Sequence, residues 1–403
     1  MGKLIQSDMQ GDRLILQVTE NIASANADLL LREAEACLME NAHAGIEFDF
    51  SKVEYISSAG LRTLLSLYNK EKSQGATGDF FRVTGVCPTV WEILEMTGFT
   101  TIFSVSRAMR KISLENATLI GDGFFSKVYR VDAENIVKVY NANASEADVQ
   151  RELARAKYAL ILGVPTAISY DIVDVDGCRG VLFEMMNCGS LRDAFRDQPE
   201  QAEHLISQYA TLLRTLHATV DTDRQLPEAK QGVTDKLASL SGLLSAEESA
   251  RIARLFETLP EGDTVLHGDC HIKNIMLHNG EPLLIDLDTL SRGDPVIELG
   301  NLYFTYTAFE TLWPGNTEEF IGVSAAQAFS IRDGLLAKYF EGVSPEEYAS
   351  NLDRIRFICW FRMLCFMNEF KRDDAENTAR VLDFLRNAMD RISDLKLTFG
   401  HVE

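Results

Sequence analysis

The stretch VLHGDCHIKNIMLHNGEPLLIDLD, Val265 to Asp288, constrains this chain more than any other. It sets His267, Asp269, His271, Asn274, Asp286 and Asp288 between the apolar runs VL, IM and LLI, which read as buried strand. Polar groups placed there are costly unless each finds a partner. One reading is a strand–loop–strand hairpin with solvated side chains and Asx-turns. The other is a reaction centre. In that case Asp269 would take a proton from an attacking hydroxyl, while Asn274 and Asp286 would hold magnesium on nucleotide phosphates.

Four further segments fall in the order that a two-lobed kinase requires. GDGFFSKV (121–128) follows a strand pattern, and its small residues Gly121, Gly123 and Ser126 let the backbone fold close over phosphates; a plain hairpin turn reads the same way. Lys138 in IVKVY lies within an apolar strand, where a buried ammonium needs an anion. Glu152 on the following helix is a candidate partner for it. FEMMNCGSL (183–191), with Glu184 and Met186, joins a strand to a polar stretch suited to a hinge whose backbone reads an adenine. SRGDPVIELGNL follows the metal strand at once and leaves no room for a long activation segment. Asp294 and Glu298 within it read as structural caps.

At 403 residues the chain exceeds what one hydrophobic core serves, so two or more domains are expected. The formal net charge of −21 argues against nucleic acid as a partner, since no basic face would neutralise phosphates. The same acidity would suit a cationic substrate. Seven cysteines without a CxxC pair read as reduced thiols, no run of about 18 apolar residues occurs, and the N-terminus lacks an apolar leader. A cytoplasmic protein with no membrane span is expected.

Residues 1–105 alternate strand and helix signals: the hairpin LIQSDM/RLILQVT, a helix over SANADLLLREAEACLMENAH, the strand GIEFDF, a helix from SSAGL to Gly75, the strand DFFRVTG, the helix PTVWEILEMTGF and a last strand TTIFSV. This predicts an α/β domain. SRAMRKISLE (106–115) reads as a linker. A mainly β lobe (about 114–187) and a mainly helical lobe (about 188–395) follow.

With those motifs in place, residues 116–395 resemble the aminoglycoside phosphotransferase and choline kinase-like group of the protein-kinase-like fold. HGDCHIKN is similar to that group's HGDxHxxN loop, and IDLD to its metal strand. The resemblance implies an ATP- or GTP-dependent phosphotransferase using magnesium, with a small-molecule hydroxyl as acceptor. It implies Asp269 as catalytic base, Asn274 and Asp286 as metal ligands, and Lys138 with Glu152 as the phosphate-positioning pair. Cys270, Lys273 and Asp288 depart from the usual pattern, and Asp288 adds a carboxylate. LLRTLHA (212–218) resembles a helix of the group whose His217 packs in the core.

FDFSKVEYISSAGLRTLL together with VTGVCPTVWEILEMTGFTTIF resembles a STAS domain, as found in anti-sigma factor antagonists. Ser58 matches the serine that such domains expose at a helix start, where some are phosphorylated; the alternative is that Ser57 or Ser58 serves only as an N-cap. Ser57 and Ala59 differ from the usual acidic residue and second hydroxyl.

The expected architecture is therefore an α/β STAS domain (1–105) followed by a two-lobed α+β protein-kinase-like domain (116–395). Three functions stay open: a small-molecule kinase with the STAS part as a regulatory or docking module for a protein partner or a second copy; a protein kinase acting on Ser58 or on a partner; and a nucleotide-binding signalling protein without turnover. Ser58 is not expected to be the main acceptor. Tyr303, Tyr306, Trp313, Trp360 and Phe361 could be core or pocket.

Overall fold

The structure is a computed structural model that describes residues 3–41, 45–123, 126–141, 144–186, 188–371, 374–392 and 396–399. It has two compact units, Met1–Ile112 and Ser113–Glu403.

In the first unit, Ile5–Gln10 and Arg13–Val18 pair antiparallel as a hairpin. Gly45–Asp49, Phe81–Val86 and Ser104–Arg107 then add in parallel, so the sheet runs in chain order. In RLILQV the alternation sends Leu14, Leu16 and Val18 inward. Ile46, Phe48 and Val83 continue that layer on the neighbouring strands. Helices Ala27–Glu40, Ser58–Ser73 and Pro88–Met96 close the core with Leu30, Ala34, Leu61, Leu64, Leu67, Val90 and Leu94. The strand expected over TTIFSV begins only at Ser104. Gly98, with φ 78°, ends the preceding helix and starts a short 3₁₀ turn, Phe99–Thr101, whose Phe99 packs into the core. Residues 106–115, read as a linker, include the end of that strand and a further short strand, Arg110–Ile112.

The second unit opens with antiparallel strands. Asn135–Tyr140 lies between Ser126–Arg130 and Cys178–Glu184, with Thr118–Asp122 beyond the first and Ser169–Val175 beyond the second. Helix Glu146–Ile161 is started by a capping box between Ser145 and Asp148, and its inward stripe is Val149, Glu152, Leu153 and Ala156. Glu152 is thus a charged residue on an apolar face. A helical lobe follows, and its largest helices are Ala202–Ala218, Ala325–Tyr339, Pro345–Glu369 and Ala375–Arg391. Helices Pro295–Tyr303 and Pro345–Glu369 cross closely at Gly300, where any Cβ would lie 2.3 Å from Ile358 Cγ2. Tyr303, Tyr306, Trp360 and Phe361 belong to this lobe's buried core, and Trp313 packs against it.

Candidate active site

The opening motif does not fold as one hairpin. Val265–Leu266 pairs with Ser291–Arg292, and Ile275–His278 pairs with Glu281–Leu284, so the loop from His267 to Asn274 hangs between two separate ribbons. Gly268 enters that loop with φ +86°, and a Cβ there would meet Thr289 O at 2.8 Å. Only glycine fits both restraints.

Backbone and side chains then fix the loop from inside. His267 Nε2 lies 3.0 Å from Ile285 O, Asp269 N–H donates to His267 Nδ1 (3.2 Å), and Thr289 Oγ1 donates to His267 O (2.7 Å). Asn274 Nδ2 donates to Asp269 O at 3.0 Å and stands 3.5 Å from Asp269 Oδ2. Because this amide spends its nitrogen on the loop, its oxygen is the end left for a cation. Ile285 N–H donates to Asn274 O (2.9 Å), which ties the loop to the strand end carrying Asp286. His271 is buried, its Nε2 3.5 Å from Asp269 Oδ2, and burial holds its imidazole below the usual histidine range.

Lys138 joins the two lobes electrostatically. Its register neighbours are Val128 and Val181, and its Nζ donates to Glu152 Oε1 at 2.7 Å and to Asp286 Oδ1 at 2.6 Å. Burial opposes the ammonium charge, but Asp286 and Glu152 outweigh it and raise the pKa above the ordinary lysine value. Asp286 itself is held low, the Lys138 charge overcoming its burial. It adopts φ 62°, a left-handed conformation that Asp tolerates better than most residues. Asp288 is pushed up to about 6 by burial and by the Asp286 charge. Two neighbouring carboxylates and an amide oxygen are the hard donors that magnesium prefers. No group of three or more His, Cys, Asp or Glu that could hold a metal ion occurs among the described residues.

At the Gly-rich turn, Gly121 pairs with Val128 and Gly123 N–H donates to Ser126 O (2.9 Å). Phe124 and Phe125 of that turn lie outside the described residues. At the hinge, Glu184 N–H is taken by Ile168 O, and Met186 O accepts from Cys188 N–H; Asn187 is outside the described residues. His217 packs as expected, its Nδ1 2.7 Å from Tyr339 Oη, with burial pushing its pKa down to about 3. Asp294 caps helix Pro295–Tyr303 through Val296 N–H. In the first unit, Ser57 is the N-cap, accepting from Gly60 N–H (3.3 Å), while Ser58 is exposed at the first helical position.

Some functional residues were not legible in the motif. Glu298, read as a cap, is instead fully buried and accepts from Gly268 N–H at 2.8 Å; burial raises its pKa. Asn301 donates to Gly268 O (3.1 Å), Tyr306 Oη accepts from Ile272 N–H (3.1 Å), and Tyr209 Oη donates to Cys270 O. Glu298, Asn301 and Tyr306 reach the loop from helix Pro295–Tyr303 and the π-helix Phe304–Ala308 that continues it, and Tyr209 from helix Ala202–Ala218.

A family model described as the phosphotransferase enzyme family matches residues 116–333. The chain belongs to that phosphotransferase family. A STAS domain model matches residues 5–112, so the phosphotransferase carries an N-terminal α/β STAS domain ahead of its kinase-like unit. Among curated proteins no sequence matches. Solved structures include a choline/ethanolamine kinase family protein from Mesorhizobium loti, 15% identical, with TM-score 0.42, covering 69% of this chain and 87% of that one. An ADP-bound aminoglycoside phosphotransferase is 14% identical, with TM-score 0.45, over 70% of this chain and 94% of that one. A candidate anti-sigma factor antagonist from Thermotoga maritima is 20% identical, with TM-score 0.24, over 25% of this chain and 85% of that one. No helix among the described residues is long and apolar enough to cross a membrane.

Proposed function

We propose that the phosphotransferase unit moves the γ-phosphoryl group of ATP or GTP to a hydroxyl of a small molecule. The observation that carries this reading is the bridge from Lys138 to both Glu152 and Asp286, set beside the loop that presents Asp269. Lys138, held by Glu152, meets the nucleotide phosphates, with the turn of Gly121, Gly123 and Ser126 folded over them and the Glu184–Met186 backbone beside the base. Asn274 and Asp286 hold the divalent ion, which when bound neutralises phosphate charge. Asp269 accepts the proton of the attacking hydroxyl as its oxygen bonds to the γ-phosphorus, and the bond to the β–γ bridging oxygen breaks to release the diphosphate. The segment Leu287–Asp294 between the metal strand and the next helix is short, which supports a small acceptor over a protein substrate.

The STAS domain is proposed to act as a docking or regulatory module, and Ser58 is not the main acceptor. Incubation of the full chain with magnesium, labelled ATP and a panel of alcohols, followed by mass spectrometry, tests both readings. Label on a small alcohol, lost in Asp286→Asn, is expected. Stoichiometric label on Ser58, lost in Asp269→Ala, would replace the small-molecule reading with self-phosphorylation.

A further inference from the structure

Three arginines gather around Tyr303 and the π-helix Phe304–Ala308, and two of them are paired. Arg332 lies over the Tyr303 and Phe329 rings, donates to Thr307 Oγ1 (2.6 Å) and pairs with Asp333 (2.7 Å). Arg356 pairs with Asp353 at 3.2 Å. Arg362, on helix Pro345–Glu369, has no carboxylate within ion-pair distance among the described residues. Its guanidinium lies 4.6 Å from the Phe304 ring centre and makes one long hydrogen bond, 3.4 Å, to Gly268 O. That oxygen already accepts from Asn301 at 3.1 Å, so the loop does not depend on Arg362 for its acceptor. Burial pulls the guanidinium below its usual pKa, and the charges that oppose this most are Asp269 and then Glu298.

A guanidinium offers five donors in a fork shaped for a carboxylate or phosphate, and Arg362 is half-buried with its remaining donors open to a ligand. Arg362 flanks the residue before Asp269 in sequence, beside the group read as the base for the acceptor hydroxyl. The loop also carries a second cation, Lys273, which donates to Phe320 O at 2.9 Å and sits over that ring at 4.9 Å. On the reading of this unit as a small-molecule phosphotransferase, we infer that Arg362 receives an anionic group of the acceptor, so that the substrate is an alcohol bearing a carboxylate or a phosphate. Fork geometry also predicts that lysine replaces Arg362 only partly.

The test is calorimetric titration of the full chain, loaded with magnesium and a non-hydrolysable ATP analogue, with four probes: D-gluconate, glucose 6-phosphate, glucose and glucosamine. One of the two anions is expected to bind at least about tenfold more tightly than glucose or glucosamine, a discrimination of the size that one charge-assisted contact supplies, and which anion it is separates carboxylate from phosphate recognition. Arg362→Gln is expected to erase that margin, with nucleotide affinity retained as the control for folding, and Arg362→Lys to keep part of it. Tightest binding of glucosamine, no binding of either anion, or equal anion affinity in wild type and Arg362→Gln overturns the inference. Loss is confined to this inference if, in a separate assay with magnesium and ATP itself, the protein phosphorylates only neutral or cationic alcohols. Failure of the wild type to bind the nucleotide at all removes the phosphotransferase reading with it.

Discussion

Among the described residues, the first unit buries two polar side chains, Ser57 and Thr63, and no charged one, whereas the second buries Glu152, Asp221, His267, His271, Asn274, Asp294, Glu298 and Arg354 among others. In the first unit both hydroxyls serve the backbone: Ser57 accepts from Gly60 N–H and Thr63 donates to Ala27 O. Its core is otherwise aliphatic and aromatic, with Phe81, Phe103 and Tyr68 in mutual ring contact and Phe48 packed on Phe81. The second unit accepts the desolvation of charged groups and gives several of them a partner: Lys138 donates to Glu152, Tyr158 Oη donates to Asp221, and Gly268 N–H donates to Glu298. Buried polar and charged groups are poor stabilising material, and His267, His271, Asn274, Asp294 and Glu298 all fall between residues 267 and 298, around the loop proposed for the chemistry. Among its described residues, the first unit keeps its charged side chains out of the core.

The largest break in this contrast is expected at Asp286. Asp286→Asn removes one of the two anions on Lys138 and the carboxylate proposed for the metal. Phosphoryl transfer should fall by about a thousandfold or more, with the far-ultraviolet circular dichroism unchanged. A near-wild-type rate in this variant would end the role assigned to Asp286.

Next comes Glu298, whose work is to hold Gly268 N–H inside the protein. Glu298→Ala leaves that donor unsatisfied and should cost about 1–3 kcal/mol, read as a lower midpoint in urea. Glu298→Gln retains an acceptor oxygen and should recover most of the loss. Equal destabilisation by both variants would mean that the carboxylate charge, rather than the hydrogen bond, is what the loop needs.

A smaller effect is expected in the first unit, where no buried charge is at stake. Ser57→Ala removes the N-cap of helix Ser58–Ser73 and should cost about 1 kcal/mol. Ser58→Ala, at an exposed position, should stay within about 0.5 kcal/mol. Reversal of that order in denaturant melts would show that Ser58, not Ser57, anchors the helix.

A further effect, confined to the second unit, depends on pH. His217 is held to about 3 by burial, while an unfolded histidine titrates near 6.5. Above pH 6.5 both states are neutral there and the residue adds no pH dependence. As pH falls below 6.5 the unfolded chain takes up the proton first, so stability of the second unit declines toward pH 3. His217→Gln should therefore show a shallower fall in melting temperature between pH 7 and pH 5 than the wild type. Parallel slopes would place the acid sensitivity elsewhere.

Much of this arrangement is readable in the chain. The HGDCHIKN loop, IDLD strand, Lys138 and Glu152 are short-range patterns whose residue types already state their chemistry, and the structure brings Lys138, Glu152 and Asp286 into direct contact. Local signals also located the hairpin and helices of the first unit, because turn glycines and alternation act over a few residues. The error at TTIFSV has the same origin: β-branched residues favour a strand, but Gly98 and the burial of Phe99 impose a turn first. What stayed hidden was support from afar. Glu298, Asn301, Tyr306 and Arg362 sit on helices where spacing announces an inward face but not which loop that face meets. Gly300 is the one sequence clue, since its missing Cβ lets helix Pro345–Glu369 come close to helix Pro295–Tyr303.

The central claim is that Asp269 serves the acceptor hydroxyl while Lys138, Asn274 and Asp286 serve the nucleotide. Paired measurement of ATP affinity by calorimetry and of phosphoryl transfer in Asp269→Ala tests it most directly. The account predicts transfer reduced by about a hundredfold to ten-thousandfold with ATP affinity within about twofold of wild type, a shift of roughly 0.4 kcal/mol. Loss of ATP affinity in step with turnover would contradict it, and would assign Asp269 to the metal or to the loop's structure instead.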